Sequence, residues 1–189
     1  MKKTLSILAS ILVFAGVAIA QDSKTDNHQI TISIPNIALL DIETAVNKNF
    51  NMLVTQAQDN EAGNPLDFSA TNSDLWLNYT SVVSSGKTRK IQAQITTGSL
   101  PSGVSLSVAG ATVSTGFGTR GTGSTQTLKT ASTVDLITGI GSCYTGNGSS
   151  KGSQLTYSIS MANEDNAQWS GLYTNEYPVT VTYTITDEQ

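Results

Sequence analysis

Hydrophobic and polar residues alternate one for one along several stretches of the chain, which is the period of a strand that covers a core with one face. The alternation is clearest from Leu155 to Met161 and from Val179 to Ile185, where threonine and serine fill most intervening positions. Related stretches run from Leu75 to Val83, from Lys90 to Thr96 and from Val104 to Val108. Glycine, proline, asparagine and aspartate separate them, as turns require. The pattern predicts an all-β fold, a single antiparallel immunoglobulin-like β-sandwich.

A further alternating stretch lies near the amino terminus. Ile30, Ile32 and Ile34 alternate with polar residues, and Pro35 ends the run. Proline cannot donate a hydrogen bond to a neighbouring strand, so a strand is expected to end there. The sequence therefore predicts a strand from His28 to Ile34.

The remaining stretches are less regular. Ile37 to Ile42, Phe50 to Thr55 and Val134 to Ile137 are predicted as short strands. Ala109 to Gln126 is rich in glycine, threonine and serine and is predicted as a long surface loop or weak hairpin, and Gly139 to Gly152 as another loop. No repeat and no linker divides the region, so one domain is expected over residues 28–189.

The first twenty residues have the composition of an export signal. A positive start, Met1-Lys2-Lys3, precedes an apolar run from Leu5 to Ala20 that ends in Ala18-Ile19-Ala20. Small residues at those two alanine positions predict a cleaved signal peptide, residues 1–20. The run of about 16 residues is shorter than the roughly 20 that a membrane span needs. We expect an exported bacterial protein of the periplasm, cell surface or medium, with a flexible segment at 21–27 and no membrane span after cleavage.

Composition narrows the function. The 189 residues include 23 serines and 26 threonines, and only 13% are charged. This mixture differs from helical bundles and coiled coils, which are rich in alanine, glutamate, lysine and leucine. The net charge of −4 and the pI near 4.8 offer no basic surface for nucleic acid.

Little in the sequence suggests catalysis or metal binding. His28 is the sole histidine and Cys143 the sole cysteine, which is too few for a zinc site. Asp41 and Glu43 would share one strand face as a carboxylate pair, but such pairs usually face water. The loop from Asp59 to Asp67 supplies oxygens for a calcium ion, though at no EF-hand spacing. We expect no catalytic residues, no metal ligands and no cofactor.

One glycine motif and one cysteine complete the candidates. Gly116 to Gly121 matches the dinucleotide-binding pattern, which works only between a strand and a helix. Threonine and glycine continue on both sides, so a flexible loop is the better interpretation. Cys143 could pair between chains or react, but the favoured prediction is a small buried apolar residue.

Aromatic residues offer a possible ligand surface. Trp169 and Tyr173 lie in a polar stretch and are candidates for stacking on a sugar ring. Trp76, Tyr79 and Tyr177 could extend that surface, or could pack in the core as large apolar side chains. For Trp76 the core is the favoured prediction.

Both ends of the domain resemble a known family. The strand Leu155 to Met161 is followed by Trp169-Ser-Gly171-Leu-Tyr173, and then by the closing run Val179 to Ile185. This resembles the C-terminal half of spore coat U domains and of related pilins from archaic chaperone–usher fibres. The alternation at Ile30, Ile32 and Ile34 resembles the donor strand of those pilins.

The resemblance implies a non-enzymatic, pilus-like structural subunit of the cell surface, assembling as a homopolymer by donor-strand addition with a periplasmic chaperone. Ile30, Ile32 and Ile34 would be the strand-exchange residues. The same segment could instead be the first strand of its own sandwich. In that case we expect a self-contained secreted domain that binds carbohydrate or another surface ligand through Trp169 and Tyr173.

Overall fold

The computed structural model describes residues 24–56, 61–161 and 166–188. The predicted signal peptide and Asp59 of the calcium candidate lie outside the described residues. The chain divides into two compact units, Met1–Ser33 and Ile34–Gln189, which are described separately below.

Nearly all regular structure in the described residues is β-strand. The strands are β1 (Ile37–Thr44), β2 (Thr55–Gln56), β3 (Leu66–Asp67), β4 (Thr71–Val82), β5 (Thr88–Thr97), β6 (Val104–Gly110), β7 (Phe117–Gly123), β8 (Thr125–Thr127), β9 (Val134–Tyr144), β10 (Ser153–Met161) and β11 (Thr180–Glu188). One short helix, α1 (Asn166–Ser170), precedes β11. The prediction of an all-β antiparallel fold is confirmed.

Nine strands form one antiparallel sheet in the second unit. The order is β11-β5-β9-β4-β10-β6-β8, with β1 also paired to β4 and β7 also paired to β9. Strands β2 and β3 form a separate two-stranded sheet. Buried side chains of β4, β5, β6, β9 and β10 belong to one apolar cluster, so these strands share a common core.

Alternation explains which residues enter that core. In β4, Leu75 and Leu77 are buried while Trp76 between them is only half-buried. In β5, Ile91, Ala93 and Ile95 are all buried. Successive side chains of a strand point to opposite faces, so each strand places every second residue inside. The expectation that Trp76 packs in the core is wrong, because it lies on the other side from its leucine neighbours.

The predicted strand from His28 to Ile34 is wrong for the single chain. Residues 24–36 include no strand, and the first strand begins at Ile37. An alternating sequence supplies one apolar face, but a strand also needs a partner for its backbone groups. Residues 50–54 likewise have no strand assigned.

Two predicted loops contain strands. The stretch Ala109 to Gln126 includes β7 and the start of β8, which pair with β9 and β6 and not with each other. The stretch Gly139 to Gly152 includes the end of β9, which continues to Tyr144. Both predictions relied on glycine as a turn residue. Gly118 instead lies in a strand that pairs with β9, and glycine is required there because an added Cβ would come within 2.2 Å of the Ser142 carbonyl oxygen.

Candidate functional site

The N-terminal segment, by which we mean the stretch from His28 to Ile34, presents isoleucine to solvent. Ile30 is 73% exposed and Ile32 is 83% exposed, and Ile34, the first residue of the second unit, is 77% exposed. Burial of one isoleucine side chain stabilises a fold by roughly 1.5–3 kcal/mol. Three exposed isoleucines at alternating positions would therefore contribute substantial binding free energy if a partner covered them. The three predicted strand-exchange residues are therefore accessible.

The last strand, β11, lies at an end of the sheet with apolar residues incompletely covered. Val181, Tyr183 and Ile185 pair in register with Ile95, Ala93 and Ile91 of β5. The β5 residues are buried, whereas their β11 partners are half-buried, although all six point to the same face. The core is thus closed over β5 and partly open over β11.

Strand β1 repeats this arrangement. Leu40 and Ile42 pair with the buried residues Tyr79 and Leu77 of β4, yet they are only half-buried. Among the described residues, β1 bonds to β4 alone and β11 bonds to β5 alone, so each keeps one unpaired backbone edge. The two strands approach each other without pairing. Five half-buried residues border the region between the two strands, which we call the β1–β11 groove: Leu40, Ile42, Val181, Tyr183 and Ile185.

Tyrosine hydroxyls and an aromatic contact lie beside the groove. The hydroxyls of Tyr183 and Tyr157 are hydrogen-bonded to each other, and Phe50 meets the Tyr157 ring edge-on with centroids 5.2 Å apart. Burial raises the pKa of both tyrosines above the ordinary value, most strongly for Tyr183. Both hydroxyls stay protonated and one donates to the other, so neither tyrosine adds a charge to the groove.

A buried arginine fixes the start of β1. Arg89 is 4% exposed and donates to the carbonyl of Ile37 and to the side chain of Asn36. It also donates to Ser81 Oγ at 3.1 Å and to Asp187 Oδ1 at 3.0 Å. One guanidinium therefore ties the first residues of β1 to β4 and to the end of β11. Arginine suits this position because its fork offers five donors in a fixed geometry.

The candidate stacking residues lie around α1. Trp169 belongs to the helix and is half-buried. Tyr173 lies three residues beyond the end of the helix and is 73% exposed. Tyr177 donates from its hydroxyl to the Tyr173 carbonyl at 3.1 Å. Tyr79 is buried, so it does not extend this surface. Among the described residues, neither Trp169 nor Tyr173 stacks on another ring.

Cys143 belongs to the core. It is 8% exposed, as predicted, and burial raises the pKa of its thiol. His28 is exposed on the N-terminal segment. Asp41 is exposed and lies 3.3 Å from Lys48 Nζ, and Glu43 follows on the same strand. The glycine motif at Gly116 to Gly121 runs into strand β7 without an adjoining helix, so it lacks the context that dinucleotide binding requires.

Within the residues that the structure describes, no group of three or more histidine, cysteine, aspartate or glutamate side chains could hold a metal ion. In the same residues, no helix is long and apolar enough to cross a membrane.

Comparisons with known proteins give no relative. No protein-family model matches the chain, and neither the curated proteins nor the solved structures contain a match. Function must therefore be argued from the chain's own residues.

Sequence reasoning missed Arg89 and the groove. Arg89 is the second residue of the alternating strand β5, and a basic residue near a strand end usually faces solvent. Its burial depends on the register that brings Asp187 and Ser81 beside it. The groove depends on which strands lie at the edges, and local alternation does not carry that information.

Proposed function

We propose that the chain is a non-enzymatic, exported structural subunit of a surface fibre, and that the N-terminal segment of one copy completes the fold of the next. The observation that carries this proposal is the β1–β11 groove, two unpaired edges bordered by half-buried core residues. The resemblance to spore coat U domains and archaic chaperone–usher pilins points the same way.

Strand order supports an immunoglobulin-like sandwich that lacks its last strand. In the constant-type fold, strands A, B, E and D form one layer and C, F and G the other. Taken in chain order, β1, β4, β5, β6, β10 and β11 correspond to A through F, with β7, β8 and β9 inserted between D and E. The neighbours match as well, since β1-β4-β10-β6 gives A-B-E-D and β5-β11 gives C-F. Strand G would pair with the free edge of β11.

The N-terminal segment has the properties of a strand that could fill this place. Seven residues from His28 to Ile34 span roughly 23 Å as a strand, which fits along the nine residues of β11. Ile30, Ile32 and Ile34 repeat every second residue, the same period as Val181, Tyr183 and Ile185. Added strands gain affinity from backbone hydrogen bonds and specificity from alternate side chains.

Such an exchange would build a fibre. A segment that leaves one copy and enters the next makes a head-to-tail contact, which grows without closing. Until assembly, the groove and its free edges are an aggregation hazard, so a periplasmic chaperone would be needed to cover them.

The test is to express the chain with its native leader and to analyse it on an unboiled denaturing gel beside light scattering. We expect a ladder of multimers that collapses to one band on boiling. A variant lacking residues 24–33 is the matched control and should give a monomer only. A single monomeric species from the complete chain would overturn the proposal.

A second candidate function is carbohydrate binding by a self-contained domain. The exposure of Tyr173 beside Trp169 supports it. Binding on a glycan array that Trp169→Ala abolishes would favour this function over a purely structural one, and a blank array would count against it.

A further inference from the structure

An apolar row crosses the outer face of four strands. Leu39 of β1 pairs with Thr80 of β4, Thr80 pairs with Tyr144 of β9, and Tyr144 pairs with Phe117 of β7. Directly paired residues of antiparallel strands project to the same face. Leu39, Tyr144 and Phe117 are all exposed, and the two rings lie with centroids 5.9 Å apart at 54°. We call these four residues the outer row.

The backbone holds the two rings in place. Gly116 has a φ of +72°, and a Cβ there would lie 1.9 Å from the Tyr144 carbonyl oxygen, so this close approach needs glycine. Arg120 donates from Nη1 to the carbonyls of Thr115 and Gly116 at 3.0 and 2.7 Å. The loop before Phe117 is therefore pinned against β9, and little ordering remains for a ligand to impose.

An open cleft of about 420 Å³ adjoins the outer row. Its lining includes Leu39, Thr80 and Tyr144 of the row together with Asp41 and Asn147. The loop that carries Asn147 is anchored, since Asn78 Nδ2 donates to the Gly148 carbonyl at 3.0 Å. Apolar side chains beside a few fixed polar groups are the contacts that hold and orient a small ligand.

Charge narrows the ligand class. The described lining residues include no lysine or arginine. Two cations lie nearby, and each already has a partner: Lys48 Nζ lies 3.3 Å from Asp41 Oδ1, and Arg120 donates to two carbonyls. Nucleic acid and other polyanions need cationic partners, so they fit poorly. The carboxylate of Asp41, the amide of Asn147 and the hydroxyls of Thr80 and Tyr144 can instead form hydrogen bonds with the vicinal hydroxyl groups of a sugar. Exposed aromatic rings suit the C–H faces of a pyranose, because the ring face is electron-rich.

We propose that the outer row and its cleft form a binding site for a neutral glycan, with Phe117 and Tyr144 stacking on sugar rings and Asp41, Thr80 and Asn147 bonding to hydroxyls. The site lies apart from Trp169 and Tyr173 in sequence and does not depend on the proposed strand exchange. It would give the subunit an adhesive function along its flank.

The test is affinity electrophoresis of the full chain in native gels containing a neutral polysaccharide. The probes are neutral polysaccharides: cellulose derivatives, xylan, mannan, β-1,3-glucan, dextran and starch. Where one of them retards the protein, titration calorimetry with the corresponding hexasaccharide measures the affinity. We expect retardation by at least one polymer. Phe117→Ala and Tyr144→Ala should each weaken binding by about tenfold or more, as expected for truncation of a central aromatic contact.

Leu53→Ala is the matched control, because it removes an exposed apolar side chain outside the cleft. Tyr173→Ala tests the other candidate stacking surface, and unchanged thermal unfolding of all four variants establishes that folding is intact. The proposal is overturned if no polysaccharide retards the protein, or if Tyr173→Ala removes binding while the Phe117 and Tyr144 variants retain it. It is equally overturned if Tyr144→Ala lowers self-association in sedimentation without affecting retardation, since the row would then contact a second copy.

Discussion

Replacing Ile32 by aspartate separates strand exchange from ordinary folding, because the two situations place this side chain in opposite environments. In the single chain Ile32 is 83% exposed and belongs to no strand. A substitution at such a surface position changes the free energy of unfolding by about 0.5 kcal/mol or less. We therefore expect Ile32→Asp to leave the thermal midpoint of the isolated chain unchanged.

The expected effect on assembly is much larger. Burial of an isoleucine in a neighbouring copy contributes roughly 1.5–3 kcal/mol. An aspartate there adds the penalty of a buried, unpaired charge, which amounts to several kcal/mol. A combined loss of about 4.5 kcal/mol or more weakens the contact between copies by more than 1000-fold, because each 1.4 kcal/mol is a factor of ten.

The assay combines the unboiled gel ladder with a thermal melt followed by circular dichroism. Thr31→Asp is the matched control, since it introduces the same charge on the opposite side of the alternation and should keep the ladder. If the segment served as a strand of its own domain, Ile32→Asp would instead lower the midpoint. A loss of about 3 kcal/mol corresponds to roughly 6–12 °C in a domain of this size. That shift, or an intact ladder in Ile32→Asp, would refute the reasoning.

Three further predictions test the framework around the groove. Arg89→Met should lower the free energy of unfolding in urea by about 2–4 kcal/mol, because it leaves buried carbonyls without donors. Asp187→Asn, at the exposed end of the same ion pair, should lower it by less than about 1 kcal/mol. Cys143 should react with iodoacetamide at pH 8 at least about tenfold more slowly in the folded chain than in urea, because burial raises its pKa and blocks access; equal rates would contradict its placement. The hydrogen bond from Gln92 is the main cause that lowers the pKa of Asp135 below 3.8. The stability that this carboxylate contributes is therefore present above pH 3.8 and is lost as the pH falls through the lower folded-state pKa. Asp135→Asn should thus lower the free energy of unfolding more at pH 7 than at pH 2, and an equal loss at both pH values would exclude this account.

Strands with one apolar face could be predicted from the sequence. From Leu155 to Tyr157 and from Ile91 to Ile95, buried residues alternate with less buried ones, because each strand has one side against the core. Strand β7 has no such side. Its phenylalanine is exposed and three of its residues are glycine, so its sequence resembles a loop. It becomes a strand because β9 offers its backbone a partner.

Some residues of the candidate sites could likewise be predicted from the sequence, and others could not. The accessible isoleucines Ile30, Ile32 and Ile34 could be named from their spacing alone. The outer row could not, because Leu39 and Phe117 are nearly eighty residues apart and meet only through the register of two intervening strands. Register is a property of the assembled sheet, and a shift of one residue in any of these strands would turn that strand's side chain inward.

The Arg89 contacts also determine how the domain would bear tension. A pull on the N-terminal segment reaches the domain at Asn36 and Ile37, the residues that the guanidinium holds. Strand β1 then runs for eight residues in unbroken register with β4. Backbone hydrogen bonds of an antiparallel pair lie perpendicular to the strands, so a load directed along β1 shears all of them together. A load across the strands would break them one after another. The arginine therefore stands where mechanical force would enter, and it braces the pair against peeling from its first residue.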